Sequence, residues 1–109
     1  MKSSLILTGS LIIASSLSAL GADAKANWDT HCAQCHGKTG NGDTKQGKQL
    51  QAMDLTNAAK QASFSDAKAA TAIKEGIKEA GKTKMKAFAG KLSDDEVKAL
   101  VAYTRTLKK

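Results

Sequence analysis

The residues of this chain best suited to chemistry stand within six consecutive positions, His31-Cys32-Ala33-Gln34-Cys35-His36. The two cysteines are the only ones in 109 residues, and a bridge between them would close too small a loop to staple a fold. Three chemistries use such a pair: a redox dithiol, a zinc site and thioether attachment of haem. A redox dithiol needs a strand before it and a βαβ setting, whereas residues 28–34 show no strand alternation. Zinc needs four ligands disposed as a tetrahedron, and donors crowded into six consecutive positions, with no second cluster downstream, do not easily surround one ion. Haem attachment fits the spacing. Residues three apart share a face of a helical turn, so both thiols reach the vinyl groups, and the next residue turns its imidazole toward the iron. Cys32 and Cys35 are therefore the candidate thioethers and His36 the candidate proximal ligand.

A second axial ligand must come from the other face of the haem disc, so the chain has to wrap around it first. His31, Met53 and Met85 are the candidates. His31 adjoins a haem-bound cysteine on the proximal side and cannot swing across the porphyrin edge. Met53 follows a Gly and Lys loop and reads as pocket packing. Met85 comes after a helical stretch, in a Lys and Gly segment suited to a distal loop, and is taken as the sixth ligand. Iron held on both faces has no open position for a substrate and changes only its oxidation state. The carboxylates are scattered, with no nucleophile, general acid or oxyanion constellation among them, which points to an electron carrier rather than an enzyme. The alternatives are a gas-binding or weakly peroxidatic haem protein with Met85 unbound, and the haem subunit of a dehydrogenase complex.

Three helices and their loops suffice to position these groups. The closing helix is marked by a capping box of Ser93 and Glu96, by a Leu92 and Val97 staple, and by a stripe of Val97, Leu100, Val101, Thr104 and Leu107. Lys108 and Lys109 stand at its end, where positive charge suits the helix dipole. A middle helix is predicted from a Ser65 cap, with Ala69, Ala70, Ile73 and Ile77 on one face, ending near Gly81. A first helix over about residues 26–35 presents the cysteines, and residues 57–62 form a further short turn. No strand is expected. Trp28, Phe64, Phe88 and Tyr103 read as core.

Residues 1–24 combine a basic Lys2, an apolar and Ser-rich stretch, and the small residues Ala22 and Ala24, the pattern of an export signal cleaved after Ala24. Residues 25–109 are then a single domain working outside the cytoplasm, in the periplasm, or in the thylakoid lumen of a photosynthetic source. Seventeen Lys and Arg against ten Asp and Glu give a net charge of +7. Lys82, Lys84, Lys86 and Lys91 bracket Met85, and Lys38, Lys45 and Lys48 follow the attachment motif. Such a surface suits a redox partner with acidic residues, for example a terminal oxidase, reaction centre or dehydrogenase, met by a monomer with at most transient contact to a membrane surface. Nucleic acid does not fit, because no stacking aromatics are interleaved with the lysines.

From about residue 28 to 107 the chain resembles a small monohaem class I cytochrome c of the bacterial cytochrome c6 and c553 group. Two passages carry the resemblance: Cys32-Ala33-Gln34-Cys35-His36-Gly37 with the following Gly40-Asn41-Gly42-Asp43, and residues 85–97 from Met85 through Phe88, Gly90 and Leu92 to Glu96 and Val97. The resemblance implies a small all-α cytochrome c fold, three to four helices wrapped around one covalently attached haem c. It places the proximal ligand on His36 and the distal ligand on Met85. It also implies that the first and last helices cross, with Tyr103 in the contact and Ala26 or a neighbour at the close approach. One departure stands out: the family commonly has Pro after the distal Met and near the proximal His, and this chain has no Pro, with Lys86 after Met85. An ordinary backbone carbonyl must then accept the His36 Nδ1 proton, and the distal segment lacks a fixed φ.

Overall fold

The computed structural model describes Gly9 and residues 23–109. Apart from Gly9, Asp23 and Ala24, the expected export signal lies outside the described residues. The first helix, α1, runs over residues 23–36 and changes winding on the way, being π-helical over Trp28–Cys32 and α-helical again over Ala33–His36. The Ala33 N–H bonds to the Trp28 carbonyl, five residues back, so one extra residue is absorbed in that turn. The consequence is geometric. In an unbroken α-helix residues eight apart stand about 80° apart around the axis; with one residue absorbed, Trp28 and His36 are separated by about 20°. Their rings lie 5.8 Å apart.

Trp28 is 2% exposed and forms the centre of the core with Leu55, Ile73, Phe88, Leu92, Val97, Leu100 and Val101. Its other face meets Tyr103 at 5.5 Å, the aromatic contact implied for the crossing of first and last helices. Asn27 Nδ2 donates to Glu96 Oε2 at 2.9 Å across the same crossing. Ala24 is the buried small residue of α1, whereas Ala26 is exposed.

Two short helices follow: α2 (Lys45–Leu50) and α3 (Ala58–Ala62), capped by the side chains of Thr44 and Asn57. The second is the turn expected over residues 57–62; α2 was not foreseen. Helix α4 (Asp66–Glu75) starts at the Ser65 cap, as expected, but stops at Gly76 rather than near Gly81. Gly76 has φ +74°, and a Cβ there would stand 2.5 Å from the Met85 carbonyl, so the position admits only glycine. The chain then forms an antiparallel hairpin of β1 (Ile77–Glu79) and β2 (Lys82–Met85), pairing Ile77 with Met85, Lys78 with Thr83 and Glu79 with Lys82. Ala80 and Gly81 both have positive φ, 51° and 77°, the signature of a two-residue turn of type I′. The hairpin displaces three expectations: strands form where none was expected, Ile77 leaves the helical face for an exposed strand, and Met85 sits in a strand rather than an irregular loop.

The last helix, α5 (Asp94–Thr106), has the full capping box, with Glu96 N–H on Ser93 Oγ and Ser93 N–H on Glu96 Oε1. Its buried stripe is Val97, Leu100, Val101 and Thr104, and Leu107 caps its end. Among the described residues no helix is long and apolar enough to cross a membrane.

Candidate cofactor site

Among the described residues two cavities adjoin each other. The larger, about 470 Å³, and the smaller, about 410 Å³, share Cys32, His36, Met53, Ile77 and Met85 in their walls. Cys35 and His31 line only the smaller, while Trp28, Leu55, Ile73 and Leu100 give the larger its apolar wall. Volumes of this size lie within the ordinary range for a bound organic group. Every residue singled out from the sequence as attachment point or ligand therefore faces this space.

His36 is held by its backbone-facing nitrogen. Nδ1 lies 3.2 Å from the Met53 carbonyl, which can only accept, so Nδ1 carries the proton and Nε2 is left as a lone-pair donor. Burial pushes the His36 pKa down and the Met53 hydrogen bond opposes it, so the ring is neutral at ordinary pH. The carbonyl required by the missing Pro is thus found, and it belongs to the other methionine. Met53 contributes its backbone carbonyl to His36, while the residue as a whole is 37% exposed. Burial pushes the Cys32 thiol up to about 11, with a smaller contribution from Cys35.

The attachment turn is braced from α2. Thr44 Oγ1 donates to the Cys35 carbonyl at 2.7 Å and accepts from the Gly47 N–H at 2.8 Å. Gly47 is buried against that turn; a Cβ there would press on the Cys35 carbonyl and come within 2.5 Å of the Gly42 carbonyl. Trp28 Nε1 donates to the Gly37 carbonyl at 3.1 Å and closes the far end of the motif. None of these supports was anticipated. The Thr44 cap has a sequence signal, a hydroxyl residue before a short polar helix, but the carbonyl contacts have none.

Met85 is half-buried against the core. His31 is half-buried and packs edge-on against Phe88 at 5.4 Å. Of the lysines, Lys84 and Lys86 line the smaller cavity. Lys38, Lys45 and Lys48 line neither cavity, and Lys48 pairs with Asp43 at 3.0 Å. A polar knot closes the wall formed by residues 61–66. Arg105 donates to the carbonyls of Gln61 and Phe64, to Gln61 Oε1 and to Asp66, and its guanidinium lies 4.4 Å over the Phe64 ring. Buried Gln61 donates in turn to the carbonyls of Leu55 and Thr104.

The donor set tests the three chemistries. Among the described residues no three His, Cys, Asp or Glu side chains cluster so as to hold a metal ion, which removes the zinc reading. The described residues hold only an antiparallel hairpin downstream of the cysteines, not the βαβ unit of a dithiol oxidoreductase. Paired thiols on an apolar cavity, beside an imidazole with a free Nε2 and a thioether sulfur, fit haem.

Known proteins similar to this chain point to the same class of cofactor. A family model described as cytochrome c oxidase, cbb3-type, subunit III matches residues 19–103. Among solved structures, the KustC0563 c-type cytochrome is similar with a TM-score of 0.72 and 39% identity, over 80% of this chain and 99% of that one. Its tyrosine-to-phenylalanine mutant gives 0.69 and 38%, over 79% of this chain and 99% of that one. No curated protein is similar enough to count as a match.

Proposed function

The chain belongs to the cbb3-type subunit III family of c-type cytochromes and is a monohaem class I cytochrome c that carries electrons; from that premise we propose an exported carrier with one covalently attached haem c and His/Met ligation. Cys32 and Cys35 would form the two thioethers, and His36 Nε2 and the Met85 sulfur would hold the iron. The observation that carries this reading is the convergence of Cys32, His36 and Met85 on the same two cavities, with His36 oriented by the Met53 carbonyl.

Bound haem supplies a one-electron ferric/ferrous couple. The chain's residues set where it lies and how it is tuned. The Met53 carbonyl holds the His36 ring in one tautomer and raises the basicity of Nε2. Trp28, Leu55, Ile73 and Leu100 would give the haem an apolar surrounding, and the soft sulfur of Met85 would favour the ferrous state. With His36 and Met85 both holding the iron, no position would be left for a substrate, as a carrier rather than an enzyme requires.

Lys82 and Lys86 are exposed on and beside β2, and Lys84 is half-buried. They support a partner with an acidic surface in the periplasm, met by diffusion, and an electron-transfer rate that falls as ionic strength rises. A rate independent of salt would remove this part of the reading. The ligation is tested by visible and near-infrared spectra of purified ferric and ferrous protein, the ferrous sample with and without carbon monoxide. A ferric Met-to-iron charge-transfer band and no carbon monoxide shift are expected. Absence of the band with a prompt shift would mean an open distal site and a gas-binding or peroxidatic protein.

A further inference from the structure

The larger cavity is apolar around most of its wall, and one stretch of that wall departs from the pattern. Lys68 and Thr71, one turn apart on α4, both line it, and among the described residues Lys68 is the one Lys or Arg that does so. The neighbouring polar groups are committed elsewhere. Ser63 Oγ donates to the Lys60 carbonyl, Thr104 Oγ1 donates to the Leu100 carbonyl, and Arg105 is spent on Asp66, Gln61 and Phe64. Among the described residues no carboxylate lies within ion-pair distance of Lys68. An uncompensated ammonium and a free hydroxyl thus stand together at the exposed mouth of an apolar cavity.

That arrangement suits an anionic group carried by an apolar ligand. Haem has its vinyl groups toward one edge and its two carboxylates on the other. Cys35 lines only the smaller cavity and Cys32 both, whereas Lys68 and Thr71 line only the larger, so thioethers at the two cysteines would put the vinyl edge away from Lys68 and Thr71. A carboxylate buried without a partner is costly, whereas one at a solvent-exposed mouth beside an ammonium is not. Resting on the haem reading above, we propose that Lys68 and Thr71 form the anchoring site for a haem carboxylate, the ammonium by charge and the hydroxyl as a second donor.

The test uses the loaded protein and its Lys68→Gln, Lys68→Arg and Thr71→Val variants, with Lys98→Gln as a control for net charge on another helix. Resonance Raman spectra report the haem carboxylate bending modes directly, and potentiometry reports the couple. Lys68→Gln is expected to shift the bending mode and to lower the ferrous-to-ferric ratio at a fixed poise about threefold, roughly 30 mV at 59 mV per tenfold. Lys68→Arg restores the potential, and Thr71→Val shifts the mode with a smaller effect on the couple. An unmoved mode in Lys68→Gln, or an equal fall of potential in Lys98→Gln, overturns the proposal while leaving haem binding intact. A pyridine haemochrome spectrum of the wild-type protein separates the two levels: lack of thioether-linked haem would overturn both readings.

Discussion

Removing the haem should unfold this domain, and the structure sets the scale of the effect. A Cys32→Ala, Cys35→Ala double variant leaves the group unattached and the larger cavity, about 470 Å³, without its filling. At about 24 cal/mol per Å³ of cavity, that volume corresponds to a loss of about 11 kcal/mol. The cavity has an open mouth that water enters and walls that relax, so the figure is a ceiling; half of it is still about 5–6 kcal/mol. Native domains are stable by only about 5–15 kcal/mol. The residues deprived of a partner are those at the centre of the core, Trp28, Leu55, Ile73 and Leu100. No second core exists among the described residues to hold the fold. Far-ultraviolet circular dichroism and urea titration of the double variant, beside the loaded protein, check this. Holo-like helix content with a cooperative urea transition in the variant would refute the reasoning.

Four further outcomes are expected. Gly47→Ala gains about 0.5–1 kcal/mol as a better helix former, but overpacking against the carbonyls of Cys35 and Gly42 costs about 1–3 kcal/mol; urea titration of the loaded variant should show a net loss, and a gain would contradict the close approach. Arg105→Met strips a donor from the carbonyls of Gln61 and Phe64 and from the buried Gln61 side chain. It should cost about 2–3 kcal/mol, little of it from the exposed Asp66 pair, and an unchanged urea midpoint would show the knot to be incidental. Ala80→Asn relieves a left-handed alanine at φ 51° in the hairpin turn; a gain of about 0.5–1 kcal/mol should raise Tm by several degrees, and a fall in Tm would deny the turn. In acid, Glu96 is held below its ordinary value chiefly by the Ser93 N–H and by Asn27, and Asp94 by Lys74. Carboxyls lowered in the folded state stabilise it at neutral pH and lose that contribution as pH falls from the ordinary range, about 4, through the lowered values. Urea midpoints should therefore drop on acidification and drop less in Glu96→Gln, and equal slopes would refute the assignment.

What the sequence made legible was what local chemistry decides. The capping box of Ser93 and Glu96, the Ser65 cap and the stripe of α5 depend on residues within a turn or two of one another, and all are present. The Cys32, Cys35 and His36 run is local in the same way, and all three residues line the adjoining cavities. The end of α4 was not. Ile77 keeps the helical period, and two glycines, Gly76 and Gly81, both offer a stop. The choice is made from afar: Phe88 and Ala89 N–H groups bond the carbonyls of Ile73 and Lys74, which would otherwise continue or end the helix unsatisfied. The π turn over Trp28–Cys32 has no composition signal either, since it answers to the packing of Trp28 against α5 and His36. The Met53 carbonyl escaped because a backbone acceptor leaves no mark on residue type.

The same long-range bonds explain how Met85 is presented without a proline. A proline ring would fix one φ after the methionine; here the chain is fixed on both sides by pairing. Before it, β2 is hydrogen-bonded to β1 with Met85 opposite Ile77, and Gly76 lets the backbone of α4's end come against the Met85 carbonyl. After it, Phe88 and Ala89 bond the last turn of α4, and the buried Phe88 ring meets His31 from the attachment helix. The proposed distal ligand is therefore tied to α4 twice and, through Phe88, to the helix that carries the cysteines. Its order depends on tertiary contacts rather than on a local ring. Loosening the hairpin turn should then weaken the proposed Met85 ligation before it unfolds the protein, because the hairpin holds the methionine segment and none of the fully buried core residues.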